Sequence, residues 1–292
     1  MNTLLLGIGF GLVTASVLAI STVALSLQFG VTRVPNFAHG ELMTVGAYAA
    51  LVTERAVHNT LLAALAAIAA GCVLGVAINK LLFGPFRRRK VARLTLFVLT
   101  IAASIVIQNT VLLIFGGSTQ PLPLGGGTPH HLGPFLFTTQ QEVIIVLAVA
   151  IMAAIHVLLK YTYFGRAQRA VAENLSLAQA SGINSAQVIN RTWVLTGAMA
   201  GLAGFVLGIT TGGLYPAMGF QFLLIVFAAA ILGGIGQPYG AMAGSLVVGI
   251  TMEVSALYIS SNYKTVVAFI LLILALLLRP QGLVTTRRPA AA

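Results

Sequence analysis

With 292 residues, 58% apolar and 7% charged side chains and a mean hydropathy of +0.99, the chain has too few ionisable groups to cover a water-soluble globule of its size. Sixteen Lys and Arg stand against five Glu and no Asp, a net charge of +11 that would raise nucleic acid as a partner in a soluble protein. Here the basic residues gather in a few short connections, so membrane orientation accounts for them, and Cys72, the single cysteine, excludes an intrachain disulfide or a Cys-based metal site.

Apolar stretches long enough to approach a helical membrane crossing lie at 4–29, 61–83, 95–116, 141–160, 193–211, 219–236, 240–259 and 264–279. No Lys or Arg precedes Arg33, so the first stretch lacks the charged start of a signal peptide and is expected to be a retained span. A ninth candidate at 36–53 is polar at its start and reads as a full span or as a broken, re-entrant helix sheltered by its neighbours. The fold class expected is therefore all-α, a polytopic bundle of 8–9 transmembrane helices. No linker or low-complexity segment divides it, so residues 1–292 read as one membrane domain.

Three basic clusters should face the cytoplasm: Lys80, Arg87, Arg88, Arg89, Lys90 and Arg93; Lys160, Arg166, Arg169 and Arg191; and Arg279, Arg287 and Arg288. The connections at 117–140 and 212–218 carry no Lys or Arg and should lie outside. Nine crossings would put the N-terminus outside and eight would put it inside; Arg33 on the cytoplasmic side favours nine. Glycines four apart recur through the spans and predict close helix packing, with Gly236, Gly240 and Gly244 held as candidates for a subunit interface.

Residues 160–192 form a polar, basic island between apolar stretches. Ala167, Val171, Leu175 and Ala178 make an apolar stripe at helical spacing, with Arg166, Arg169, Glu173 and Asn174 largely elsewhere on the wheel. This predicts a short amphipathic helix along the cytoplasmic face, ended by Ser181-Gly182, with Asn184 or Ser185 capping the next helix. Such a helix can dock into a partner's groove, lie on anionic lipid, or pack on its own bundle.

No Gly-Lys dipeptide occurs, so a Walker A loop is absent and the chain does not itself hydrolyse ATP; the glycine-rich run 233–240 reads as a tight turn between spans. Glu41 and Glu253 lie in or near apolar spans, where a carboxyl either lines a polar path or makes a structural hydrogen bond. Asn36, His39, Gln108 and Asn109 are further candidates for the path, with interhelical hydrogen bonding an equal explanation. His130 and His131 sit together in an outer connection without the further ligands a metal site needs, so no metal is expected.

The run Asn36-Phe37-Ala38-His39-Gly40-Glu41-Leu42, continuing to Gly46-Ala47-Tyr48, resembles a signature near the start of the permeases of branched-chain (hydrophobic) amino-acid ABC transporters. The island, with Gly165-Arg166-Ala167 and Ser181-Gly182-Ile183-Asn184, is similar to that family's cytoplasmic coupling loop. Ile231 to Gly236 with Gly240 and Gly244, and Leu278-Arg279-Pro280-Gln281-Gly282-Leu283, are similar to its C-terminal patterns. The likeness runs through almost the whole chain in the expected order.

The resemblance implies a permease subunit of the shorter of two types, in a bacterial inner membrane, forming half of a translocation pathway. Its partners would be a second related permease, two ATP-binding-cassette subunits and an extracytoplasmic substrate-binding protein. ATP would then sit on partner subunits, with no cofactor on this chain. Arg166, Arg169, Glu173, Asn174, Gly182, Ile183 and Asn184 would carry the coupling. Leu, Ile and Val lead as substrates, with urea and short amides as alternatives. From a different class, an ion-gradient-driven secondary transporter would use Glu41 and Glu253 as coupling carboxylates. An intramembrane enzyme finds no ligand cluster or nucleophile constellation in the spans.

Overall fold

A computed structural model describes residues 3–89, 91–122, 124, 127–133, 135–278 and 282–283. Lys90, Arg279, Pro280, Gln281, Arg287 and Arg288, all named above, lie outside the described residues.

The chain opens with α1 (Thr3–Thr32), α2 (His39–Val57) and α3 (Thr60–Ile78). The last continues through a π-helical stretch, Asn79–Phe83, into the short α4 (Gly84–Arg88). There follow α5 (Arg93–Phe115), β1 (Gln120–Pro121), β2 (His130–Leu132), β3 (Phe135–Phe137) and α6 (Thr139–Tyr161). Two short helices, α7 (Tyr163–Glu173) and α8 (Leu175–Ala180), lead to α9 (Ser185–Thr211), β4 (Gly213–Leu214) and α10 (Met218–Gly233). The chain then forms α11 (Pro238–Tyr258), a 3-10 turn at Ser261–Tyr263 and α12 (Lys264–Leu278). Two antiparallel pairs, β1 with β4 and β2 with β3, tie the connections at one end of the bundle.

The protein is an all-α, multi-pass membrane bundle: among the described residues seven helical stretches are long and apolar enough to cross a bilayer. Shorter α10 falls below that length, and α2, which carries Glu41, Glu54 and Arg55, is not among the seven. The core is built on α1, α9 and α2, whose faces are largely buried, while α5, α6 and α12 expose apolar surface suited to lipid.

Glycine decides how close the central helices come. A Cβ at Gly204 of α9 would lie 1.9 Å from the Met43 carbonyl oxygen of α2, and one at Gly71 of α3 would lie 2.1 Å from the Gly197 carbonyl oxygen. Backbone packs on backbone there, the arrangement small residues permit in membranes. Gly240 and Gly244, held above as a subunit interface, turn out to serve inside the chain. A Cβ on Gly244 would lie 2.2 Å from the Ala229 oxygen, and one on Gly233 would lie 2.0 Å from the Gly240 oxygen, so they seat α11 against α10. Gly236 takes φ +88 in the turn between them.

The ninth candidate span resolves into two parts. After α1 the chain runs irregularly through Arg33 to Ala38, and α2 then begins inside the bundle. His39 meets Ser21 at 3.3 Å, a point about 16 Å short of the end of α1 at 1.5 Å per residue. Helix α10 also begins against α2, with the Gly219 amide donating to Thr44 Oγ1 at 3.2 Å. Both starts lie in protein, where irregular backbone at membrane depth is tolerated.

Candidate functional site

The island folds as a platform across one end of the bundle. Thr162 is extended, its hydroxyl donating to the Leu158 carbonyl at 2.6 Å and accepting from the Gly165 amide at 3.1 Å, so one residue ends α6 and caps α7. A Cβ on Gly165 would lie 2.3 Å from the Leu158 oxygen; glycine lets α7 fold back onto α6. Arg169 Nη1 donates to the Leu159 oxygen at 2.5 Å and Arg166 Nη1 to the Tyr161 oxygen at 3.5 Å, placing two cations on the open carbonyl end of α6. Ala167, Gln168 and Val171 are buried toward the bundle.

A single helix through residue 178 does not form. Asn174 takes φ −146, ψ 105, and its side chain accepts from the Leu177 amide at 3.0 Å, so it ends α7 and caps α8. An asparagine side chain competes for backbone donors, which is why it serves better at a cap than inside a helix. The break turns Leu175 out of the buried stripe, leaving it 40% exposed, while Ala178 stays buried. Gly182 then adopts φ +82, with Gly182 N donating to Gln179 O and Ile183 N to Ala178 O, the paired bonds of a Schellman ending. Asn184 caps α9 by accepting from the Gln187 amide at 3.1 Å. The outward face carries Tyr163, Glu173, Asn174, Leu175 and Leu177, all exposed.

Arg33, named above only for orientation, reaches this platform. It sits at φ 56 after the end of α1 and donates from Nη2 to the carbonyl of Ala172 in the last turn of α7. Its signal in the sequence is a lone cation closing a long apolar run; the contact spans residues too far apart for local patterning to reveal.

The Asn36–Glu41 segment makes a buried polar seam. Asn36 Nδ2 donates to Gln28 Oε1 at 3.0 Å and its Oδ1 accepts from the Ala38 amide at 3.1 Å. Thr100 Oγ1 on α5 accepts from the Phe37 amide at 3.2 Å, and Ser104 on the same helix donates to Glu41 Oε1 at 3.0 Å. The side chains thus supply partners for backbone that no helix satisfies. Asn36, His39 and Glu41 are at most 1% exposed, and Glu41 Oε2 and His39 Nδ1 have no partner among the described residues. Thr100 and Ser104 carry no local signal of their place in this seam, being common hydroxyl residues.

Gln108 is half-buried on α5, and Asn109 is exposed there with its Nδ2 donating to its own helix at Ile105 O, 2.8 Å away. Among the described residues no hydrogen bond gathers these two with Asn36, His39 and Glu41. His130 pairs with Glu142 at 2.8 Å. Glu253 stands at the opposite end of the bundle from the platform. It accepts from Thr14 Oγ1 at 2.8 Å and from Lys264 Nζ at 2.7 Å, in a cleft of about 440 Å³.

The platform and the buried seam are among the parts that the resemblance singled out, and comparison with known proteins agrees over nearly the whole length. The chain matches the family described as "Branched-chain amino acid transport system / permease component" over residues 7–276. It belongs to that permease family. It is 37% identical over 287 residues to the high-affinity branched-chain amino acid transport system permease protein LivH of Escherichia coli (strain K12), covering 94% of this chain and 92% of the relative. It is 33% identical over 287 residues to the permease protein BraD of Pseudomonas aeruginosa, covering 94% and 93%. It is 30% identical over 289 residues to the probable branched-chain amino acid transport permease protein LivH of Methanocaldococcus jannaschii, covering 93% and 90%. No solved structure is significantly similar. The platform, the α2 break and the glycine-packed centre thus all fall within the length shared with these permeases.

Proposed function

We propose that this chain is one permease subunit of an ATP-driven importer of branched-chain, hydrophobic amino acids. It works as one membrane domain over residues 1–292, with nine crossings of a bacterial inner membrane and the N-terminus outside. A second related permease completes the pathway, two ATP-binding-cassette subunits hydrolyse ATP, and an extracytoplasmic binding protein delivers substrate. The chain contributes a moving wall and no catalytic group.

The observation that carries this reading is the construction of α7 and α8. One face is fastened to the bundle through Ala167, Val171, Arg169 and the Arg33 contact to Ala172, while the other presents Glu173, Leu175 and Leu177, with Leu177 64% exposed. A piece so fastened transmits a push, and its exposed leucines beside a carboxylate suit a protein groove. Nucleotide on the partner can drive transport only if it binds two states of the assembly with different affinity, and a rigid platform is the means by which that difference reaches the helices. The break at Asn36 lies directly beyond Arg33, so the α1–α2 connection receives the push through the Arg33 contact, alongside α6.

The test is uptake of radiolabelled leucine by proteoliposomes holding this chain, its partner permease and the two ATPase subunits, with binding protein outside. Uptake is expected to require both ATP and binding protein and to persist with a protonophore. Uptake that survives without ATP and collapses with the protonophore would replace this reading with an ion-gradient mechanism.

A further inference from the structure

The ion pair at the end of the bundle away from the platform lies in a setting that the coupling mechanism leaves unused. Glu253 lies on α11 within a membrane-capable stretch, Pro238–Tyr258, and Lys264 opens α12. A carboxylate and an ammonium so placed carry a desolvation penalty that packing alone would avoid, since an apolar pair of the same volume serves a bundle equally well or better. Here the pair faces a cleft of about 440 Å³, within the range of small-ligand sites.

The walls of the cleft are of two kinds. Phe10, Val13, Ile144, Ile209 and Leu257 give an apolar side, and the Glu253–Lys264 pair lies beside it. Most other polar groups on the lining already have protein partners: Thr138 and Gln141 form the capping box of α6, Gln140 Nε2 donates to Leu124 O, and Thr210 donates to Leu207 O. The two ions keep capacity. A lysine ammonium has three donors and the contact to Glu253 uses one; a carboxylate has about four acceptor positions and Thr14 and Lys264 take two. Their side chains are 14% and 30% exposed, so both reach the open volume.

We infer that this cleft is a receptor for a zwitterion with an apolar tail, its ammonium accepted by Glu253, its anionic oxygen by Lys264, and its tail by the Phe10–Leu257 wall. The chemistry is shared by a free apolar amino acid and by an ethanolamine phospholipid headgroup. It holds whether or not transport is driven through α7 and α8, since binding needs neither ATP nor the partner subunits.

The full chain in nanodiscs of phosphatidylglycerol alone, which offers no ammonium, is titrated with radiolabelled leucine. In parallel, chain taken from mixed phosphatidylethanolamine and phosphatidylglycerol nanodiscs is weighed by native mass spectrometry for retained ethanolamine lipid. Two variants accompany it: Glu253→Gln with Lys264→Gln, which removes both charges together and leaves neither stranded, and Ala256→Phe, which fills the cleft and keeps the pair. The wild type is expected to hold at least one probe, and every variant that remains monodisperse to lose it by on the order of tenfold or more, as for a lost charge-assisted hydrogen bond. Loss of leucine identifies a free amino acid as the ligand, and loss of ethanolamine lipid identifies the bilayer as its source. A wild type that holds neither probe, or a monodisperse variant that holds its probe as the wild type does, overturns the inference.

Discussion

Two asparagines interrupt helical structure in this protein, and they do so in opposite surroundings. Asn174 accepts from the Leu177 amide at an exposed break between α7 and α8; Asn36 accepts from the Ala38 amide at a buried break before α2. The local device is nearly the same, a side-chain oxygen taking a backbone N–H that the helix leaves open. Water stands ready to replace Asn174. Asn36, 1% exposed, has no solvent to take its place, and its Nδ2 also supplies Gln28. One break is therefore free to shape a surface for a partner, and the other is fixed as part of the core.

That contrast orders the expected effects of substitution. The largest belongs at the buried break: a Cβ on Gly40 would lie 2.6 Å from the Gly219 oxygen, so Gly40→Val should leave no monodisperse protein on size exclusion. Next, Asn36→Leu strands the Ala38 amide and Gln28, and should lower stability by about 2–4 kcal/mol, read as a fall in Tm. Gly182→Pro is third. Proline holds φ near −65° and cannot adopt +82, so the end of α8 should come apart; transport should stop while insertion and the amount of folded protein stay close to wild type. Smallest in stability is Asn174→Ala, an exposed cap worth about 1 kcal/mol, whose effect should appear in uptake more than in Tm. Equal Tm losses for Asn36→Leu and Asn174→Ala would erase the distinction between the two breaks.

Much of this architecture could be read from residue order. The eight apolar stretches correspond to α1, α3, α5, α6, α9, α10, α11 and α12, because runs of apolar residues on the scale of the bilayer leave few alternatives. Gly182 and Asn184 end and begin helices as their types require. The break at Asn174 leaves no periodic signal, because the apolar spacing from Ala167 to Ala178 continues straight through it and periodicity does not register one competing side chain. Partners from distant segments were beyond reach as well. Glu41 meets Ser104 across 63 residues and Arg33 meets Ala172 across 139. Residue order marks Glu41 as a carboxyl in an apolar setting and Arg33 only as an orientation signal, and only the folded chain shows which neighbours account for them. Glycine spacing had a similar limit: it marked close approach, but the same pattern in Gly240 and Gly244 fits a neighbour in the same chain or in another.

Coupling through α7 and α8 depends on what faces Leu177. A photoreactive or cysteine-linked crosslinker placed there by substitution, in the importer assembled with its ATPase subunits, reads the answer directly. The prediction is a crosslink to an ATP-binding subunit whose yield changes when nucleotide is added. Recovery of lipid adducts alone, in an assembly that still carries out ATP-dependent leucine uptake, would contradict it.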